Sequence, residues 1–349
     1  MGRDNLSIHL AERPKDDIVP GKTFSSKVTP APTEADLKDG EILVEALYLA
    51  LEPSMKVWMS TARSYMPPVG LGHVMRGAAA CRVLASRNKH ASVGDYVSAW
   101  CGWTQYAIVQ DGRFEPASRY PGLQSPRDML STLGITGLTA WWGMTQIGDP
   151  KPGETVVVSG AAGATGSVAG QIAKIKGARV IGICGNDDKC RWLKDDLGFD
   201  VALNYKSKDF RKAFKEATKD YIDVYYDNVG GDILDMALAR AKEHARFVEC
   251  GVISQYNTSN PQGPKYFSNV VAMRIRMQGF IITDHTASWP KGRQELSKWI
   301  AEGKMKKSET IIKGGLEAAE GALIGLYNGV NQGKLMVEIK DESKTPAKL

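Results

Sequence analysis

The chain has 349 residues, 43% hydrophobic and 24% charged, with a net charge of +6. That balance excludes a disordered chain, a collagen and a bundle of membrane spans, and the length predicts about two domains. The basic residues are scattered; short clusters such as Lys304, Lys306 and Lys307 read as a solvated surface and argue against a nucleic-acid partner.

In chain order, residues 1 to about 125 read as mostly β. Short apolar runs at 41–49, 77–85, 96–100 and 104–109 are punctuated by Met66-Pro67-Pro68 and Val93-Gly94-Asp95. No long helical period precedes about residue 128. From residue 155 strands and helices alternate. Strands are expected at 155–159, 179–184, 201–204, 223–227, 246–250 and 277–282. Val168, Ile172 and Ile175 recur at helical spacing after the first, and Phe210 and Phe214 after the third. A helix over 291–302 ends at Gly303, and one more strand is expected at 335–339. Six strands separated by helices predict an α/β class: a doubly wound parallel sheet beside a β-rich domain to which the terminal strand returns. Residues 155–173 carry no charge, but Gly160, Gly163, Gly166 and Gly170 interrupt them, which fits a glycine-rich turn better than a membrane span.

Cys81, Cys101, Cys184, Cys190 and Cys250 are widely spaced and read as reduced thiols of an intracellular protein. The N-terminal residues include Arg3, Asp4, Glu12 and Arg13 without an apolar core, so no secretory signal is expected. The ending Ala347-Lys348-Leu349 is close to a peroxisomal address. The expected location is therefore the cytoplasm, or the peroxisome in a eukaryote.

The run Val156-Val157-Val158-Ser159-Gly160-Ala161-Ala162-Gly163-Ala164-Thr165-Gly166 ends a strand and opens a helix. Glycines there let the backbone approach a pyrophosphate, which sits where the helix presents free N–H groups. Ala161 stands where the first glycine of the dinucleotide fingerprint belongs. The second strand ends Ile183-Cys184-Gly185-Asn186, without the carboxylate that would hold an NAD ribose, and Lys189 follows. That combination suits a 2′-phosphate, hence NADP.

Gly72-His73-Val74 resembles the Gly-His-Glu of zinc alcohol dehydrogenases, yet residues 46–56 supply no Cys or His for a further ligand. No metal is expected. Hydrolase elbows, Cys-x-x-Cys and His-Glu-x-x-His motifs are missing as well. Asp227-Asn228-Val229-Gly230-Gly231 and Cys250-Gly251-Val252-Ile253-Ser254-Gln255-Tyr256-Asn257 end the fourth and fifth strands, where ligands of an open parallel sheet bind. Tyr256 is the proton-donor candidate of those runs.

These residues resemble one family, the zinc-independent medium-chain dehydrogenase/reductases. The branch is that of prostaglandin reductases, plant alkenal double-bond reductases and bacterial curcumin reductase. Leu133-Gly134-Ile135-Thr136-Gly137-Leu138-Thr139-Ala140, Asn204-Tyr205-Lys206, Met277-Gln278-Gly279-Phe280 and Asn331-Gln332-Gly333-Lys334 carry the likeness besides the runs above. The resemblance implies a GroES-like catalytic domain (1–127), a Rossmann NADP-binding domain (128–303) and a segment (304–349) returning to the first. It implies NADPH as cofactor. Gly163, Ala164, Thr165 and Gly166 would meet the pyrophosphate. Lys189 and Tyr205 would hold the 2′-phosphate. Asn228, Cys250, Gly251, Val252, Ile253, Ser254, Phe280 and Asn331 would line the remainder.

Ser54 and Tyr65 would border the substrate, with Tyr256 as catalytic donor. Two departures bear on that substrate: Pro53-Ser54-Met55-Lys56 stands where the family often has Pro-Tyr-Met-Arg, and His73 where Glu is usual. The implied reaction is reduction of the C=C bond of an α,β-unsaturated ketone or aldehyde by a homodimer that uses neither nucleic acid nor membrane. The alternatives are a carbonyl or quinone reductase on the same scaffold, or a non-enzymatic cofactor-binding protein.

Overall fold

The computed structural model describes residues 3–341, so the Ala347-Lys348-Leu349 ending lies outside the described residues. Unit one takes the chain through Gly134, Glu309–Val330 and the described residues from Lys334 on; unit two takes Ile135–Ser308 and Asn331–Gly333. No helix among the described residues is long and apolar enough to cross a membrane.

Unit one is built on Glu41–Ala50, a strand buried at every residue but its first. It pairs antiparallel with Ala79–Ser86, Tyr106–Gln110 and Lys334–Glu338, the last placing Val337 opposite Leu49. Glu309–Ile312, Tyr96–Ala99 and Phe114–Pro116 extend the sheet. Three features go beyond the sequence expectation: the antiparallel pair Asp4–Leu10 with Phe24–Pro30, the strand Glu309–Ile312 and the helix Ala319–Tyr327. Asp4–Leu10 has no readable alternation because polar Asn5 and Ser7 are buried with their apolar neighbours. Asn5 accepts from the Tyr106 N–H and donates to the Tyr106 carbonyl, so burial leaves its amide satisfied.

Unit two holds six parallel strands: β1 (Thr155–Val158), β2 (Arg179–Cys184), β3 (Val201–Asn204), β4 (Ile222–Asp227), β5 (Ala241–Glu249) and β6 (Arg276–Gly279). Their spatial order is β3-β2-β1-β4-β5-β6. The order reverses between β1 and β4, and the carboxyl ends of strands beside such a reversal form a ligand crevice. Four consecutive buried residues in β1 match a strand covered on both faces. Val157, Ile181, Tyr225 and Phe247 make one core layer across the sheet. The expected strand 277–282 stops at Gly279, since Ile282 already opens the 3-10 turn Ile282–Ser288. Cys250 likewise lies just past β5, not inside it.

Candidate active site

The loop after β1 is shaped by two glycines. Gly160 has φ of +58°, which side-chain-bearing residues rarely adopt. A Cβ on Gly166 would fall 2.3 Å from the Gly160 carbonyl oxygen. The tight turn is thus made one residue before Ala161, which is fully buried and donates its N–H to the Ile183 carbonyl. Helix α1 (Ala164–Ile175) starts at Gly163, which supplies no side-chain cap. The Ala164, Thr165 and Gly166 amides therefore belong to the first turn, where helical geometry offers N–H groups to an anion. Gly333 donates its N–H to the Ala162 carbonyl at 2.9 Å and bridges Gly163, so the Asn331–Gly333 segment runs beside this loop. Asn331 is buried there, its amide donating to the Gly333 carbonyl at 2.7 Å. The loop fits a dinucleotide pyrophosphate: without a Cβ at Gly166 the start of α1 closes on Gly160, and the first-turn amides face outward from a tight backbone turn.

At the end of β2, helix α2 (Asp187–Asp195) is capped by Asn186, whose side-chain oxygen accepts from the Lys189 N–H at 2.8 Å. Lys189 is only 8% exposed, and burial lowers the pKa of its ammonium. Tyr205 packs its ring against Gly185, and the Lys206 ammonium lies 5.7 Å from the centre of that ring. Asp187 accepts from the Asn204 amide at 2.8 Å. Lys189, Tyr205 and Lys206 are thereby gathered at a strand end that carries no carboxylate, as a ribose phosphate requires.

The ends of β4 and β5 are acidic. Asp227 accepts at one oxygen from the Ser159 hydroxyl, the Tyr225 hydroxyl and the Val229 and Gly230 amides. Those bonds fix the loop that carries Asn228, whose side-chain amide donates to the Ser159 carbonyl. Glu249 stands in register with Asp227 on the next strand. Burial, with the Asp227 charge second, pushes the Glu249 carboxyl up to about 8. One oxygen of each acid is buried without a hydrogen-bond partner among the described residues.

A cleft lined by Glu249, Cys250, Gly251, Val252, Gly279, Phe280 and Asp284 opens beside this pair. Phe280 stacks on Trp142 at 5.2 Å, and Trp142 on His285 at 3.8 Å. Ile253 and Ser254 form a 3-10 turn held by bonds to the Asn228 and Val229 carbonyls. The Tyr256 hydroxyl turns back over Gly251 and accepts from the Val252 N–H at 3.4 Å.

In unit one, Ser54 precedes the short helix Met55–Met59, and Trp58 of that helix donates its indole N–H to the Tyr65 hydroxyl at 2.7 Å. Ser54 and Tyr65 therefore share one neighbourhood, where burial raises the pKa of the Tyr65 phenol. Lys56 is buried and donates to the Pro14 and Asp16 carbonyls, an anchoring role. The His73 ring packs against Gly70, and no cluster of three His, Cys, Asp or Glu side chains able to hold a metal occurs among the described residues.

The family model described as the N-terminal domain of an oxidoreductase matches residues 7–116, and that described as a zinc-binding dehydrogenase matches 164–298. The putative NADP-dependent oxidoreductase YfmJ of Bacillus subtilis (strain 168) is 41% identical over 98% of this chain and 100% of its own. The NADPH-dependent curcumin reductase of Escherichia coli (strain K12) is 38% identical over 95% of each chain. A crystal structure of CurA from Vibrio vulnificus in complex with NADPH superposes with a TM-score of 0.89 at 39% identity, covering 96% of this chain and 99% of that one. The chain belongs to the zinc-independent medium-chain dehydrogenase/reductases.

It is an oxidoreductase, and the family's α/β plan is the one described above. Two features of this reductase escaped the sequence reading. Glu249 was one residue inside the expected strand 246–250, and its pairing with Asp227 depends on strand register. The Phe280–Trp142–His285 stack joins residues far apart in sequence, and only the late Phe280 sat in a recognisable motif.

Proposed function

We propose that the chain is an NADPH-dependent reductase of the carbon–carbon double bond of α,β-unsaturated ketones and aldehydes. The observation that carries this reading is the pair of poles on one sheet: a phosphate cradle with buried Lys189 at β1–β2, and a tyrosine hydroxyl over the cleft after β5. The names of the curcumin reductase and NADP-dependent relatives point the same way.

In this reading Gly163, Ala164, Thr165 and Gly166 hold the pyrophosphate, and Lys189 with Tyr205 the 2′-phosphate. Asn228, residues 250–254, Phe280 and Asn331 line the rest of the cofactor. NADPH, when bound, supplies the hydride for the β-carbon. Charge then moves to the substrate carbonyl oxygen, where the Tyr256 hydroxyl donates a hydrogen bond before the α-carbon takes its proton. Ser54 and Tyr65 contact the substrate. A homodimer is part of the proposal: β6 is an edge strand, and Phe267 and Val271 near it are 58% and 77% exposed. Light scattering on the purified chain tests that state.

The deciding experiment supplies stereochemically deuterated NADPH and an α,β-unsaturated ketone. The saturated ketone with deuterium at the β-carbon is expected. Predominant allylic alcohol would overturn the assignment in favour of carbonyl reduction.

A further inference from the structure

Cys184 ends β2 and Cys190 lies in the first turns of α2, so the two bracket Gly185-Asn186-Asp187-Asp188-Lys189. Their sulfurs are 3.2 Å apart, inside van der Waals contact. A disulfide needs about 2.05 Å between sulfurs, so an approach of roughly an ångström closes the bond. Cys184 is buried while Cys190 is half-buried, which makes Cys190 the thiol an oxidant reaches first. The Cys184 thiol donates to the Asn186 carbonyl, the same carbonyl that accepts from the Cys190 N–H. Oxidation removes that S–H donor from the residue capping the Lys189 amide. Cys81 and Cys101 form a looser pair at 3.9 Å in unit one.

We propose that Cys184 and Cys190 are a redox modification site: a hydroperoxide converts them to a reversible disulfide that draws the start of α2 toward β2 and weakens NADPH binding. The effect on NADPH rests on the reading that Lys189 holds the 2′-phosphate; the disulfide itself does not. The Cys190 thiolate attacks one peroxide oxygen and becomes a sulfenic acid, releasing hydroxide. The Cys184 thiol then displaces water to form the S–S bond. The sum is two thiols and one hydrogen peroxide giving one disulfide and two waters, two electrons passing from sulfur to oxygen. A small dithiol reverses it. Burial raises both thiols, Cys184 to about 12, so the thiolate is scarce at neutral pH and linkage quickens as pH rises.

The full-length protein is treated with hydrogen peroxide at pH 7 and pH 9, and its peptides are mapped by mass spectrometry. Cofactor affinities are read by fluorescence before and after dithiothreitol. The expected result is a Cys184–Cys190 linked peptide formed faster at pH 9. The NADPH Kd should rise about tenfold, with NADH little changed and full recovery in dithiothreitol. Cys190→Ser should bind NADPH as the wild type does and ignore peroxide. Absence of the linked peptide while other thiols are consumed overturns the proposal, as does a linked peptide with an unchanged NADPH Kd. Lys189→Ala in the reduced protein separates the two readings. If it spares NADPH while the disulfide still weakens binding, the Lys189 assignment fails and the redox site stands.

Discussion

The two ends of the unit-two crevice differ in charge and in what holds them. At β2 a buried lysine, Lys206 and Tyr205 surround a strand end of cysteine, glycine and asparagine. At β4 and β5 two acids sit in register, each with one oxygen lacking a partner among the described residues. The first end gathers two ammonium groups, those of Lys189 and Lys206, beside a tyrosine ring. The second already contains more negative charge than it can bury, and answers by retaining a proton on Glu249. A cationic strand end and an acidic one thus lie on either side of β1 in one sheet.

The comparison breaks first at Glu249. The unfolded chain releases this proton near 4.5 and the folded chain near 8. Between those values unfolding liberates a proton, so stability falls as pH rises, by at most about 1.4 kcal/mol per pH unit, and is level outside the window. Glu249→Gln should flatten that slope and be the more stable protein at pH 8 by a few kcal/mol. Denaturation of the cofactor-free chain at pH 5 and pH 8 checks it; parallel curves for the two proteins would show Glu249 ionised and harmless.

A smaller effect is expected at the hydroxyl of the same end. Tyr256→Phe should lower kcat about 10²-fold on an enone, with little change in the NADPH Kd. An unimpaired variant would move the donor role to a water or to the cofactor's own ribose. The smallest effect sharpens the other end: Lys189→Ala should weaken NADPH about tenfold and leave NADH nearly alone. Equal losses for both cofactors would deny the lysine its phosphate.

Much of unit two was legible because its strands are short apolar runs between glycines, and β2 and β3 lie where those runs predict. The glycine loop was legible for a similar reason: a residue with no Cβ reports a place where backbone must come close. Asp4–Leu10 stayed hidden because buried polar residues break its alternation, Asn5 being satisfied by the backbone of Tyr106 far along the chain and Ser7 by His9 and Lys27. Glu249 and Cys190 stayed hidden for the same cause. Their neighbours, Asp227 and Cys184, are defined by strand register and by the first turns of a helix, which no local pattern prints.

The short segment Asn331–Gly333 has a consequence for how this chain is made. It completes the floor of a loop that was synthesised before most of the unit-two sheet, and the very next strand, Lys334–Glu338, seals the side of Glu41–Ala50. On a ribosome neither unit can finish until residues 331–338 emerge. Both must wait as partly built intermediates with sheet edges open, the condition in which nascent chains most need chaperones.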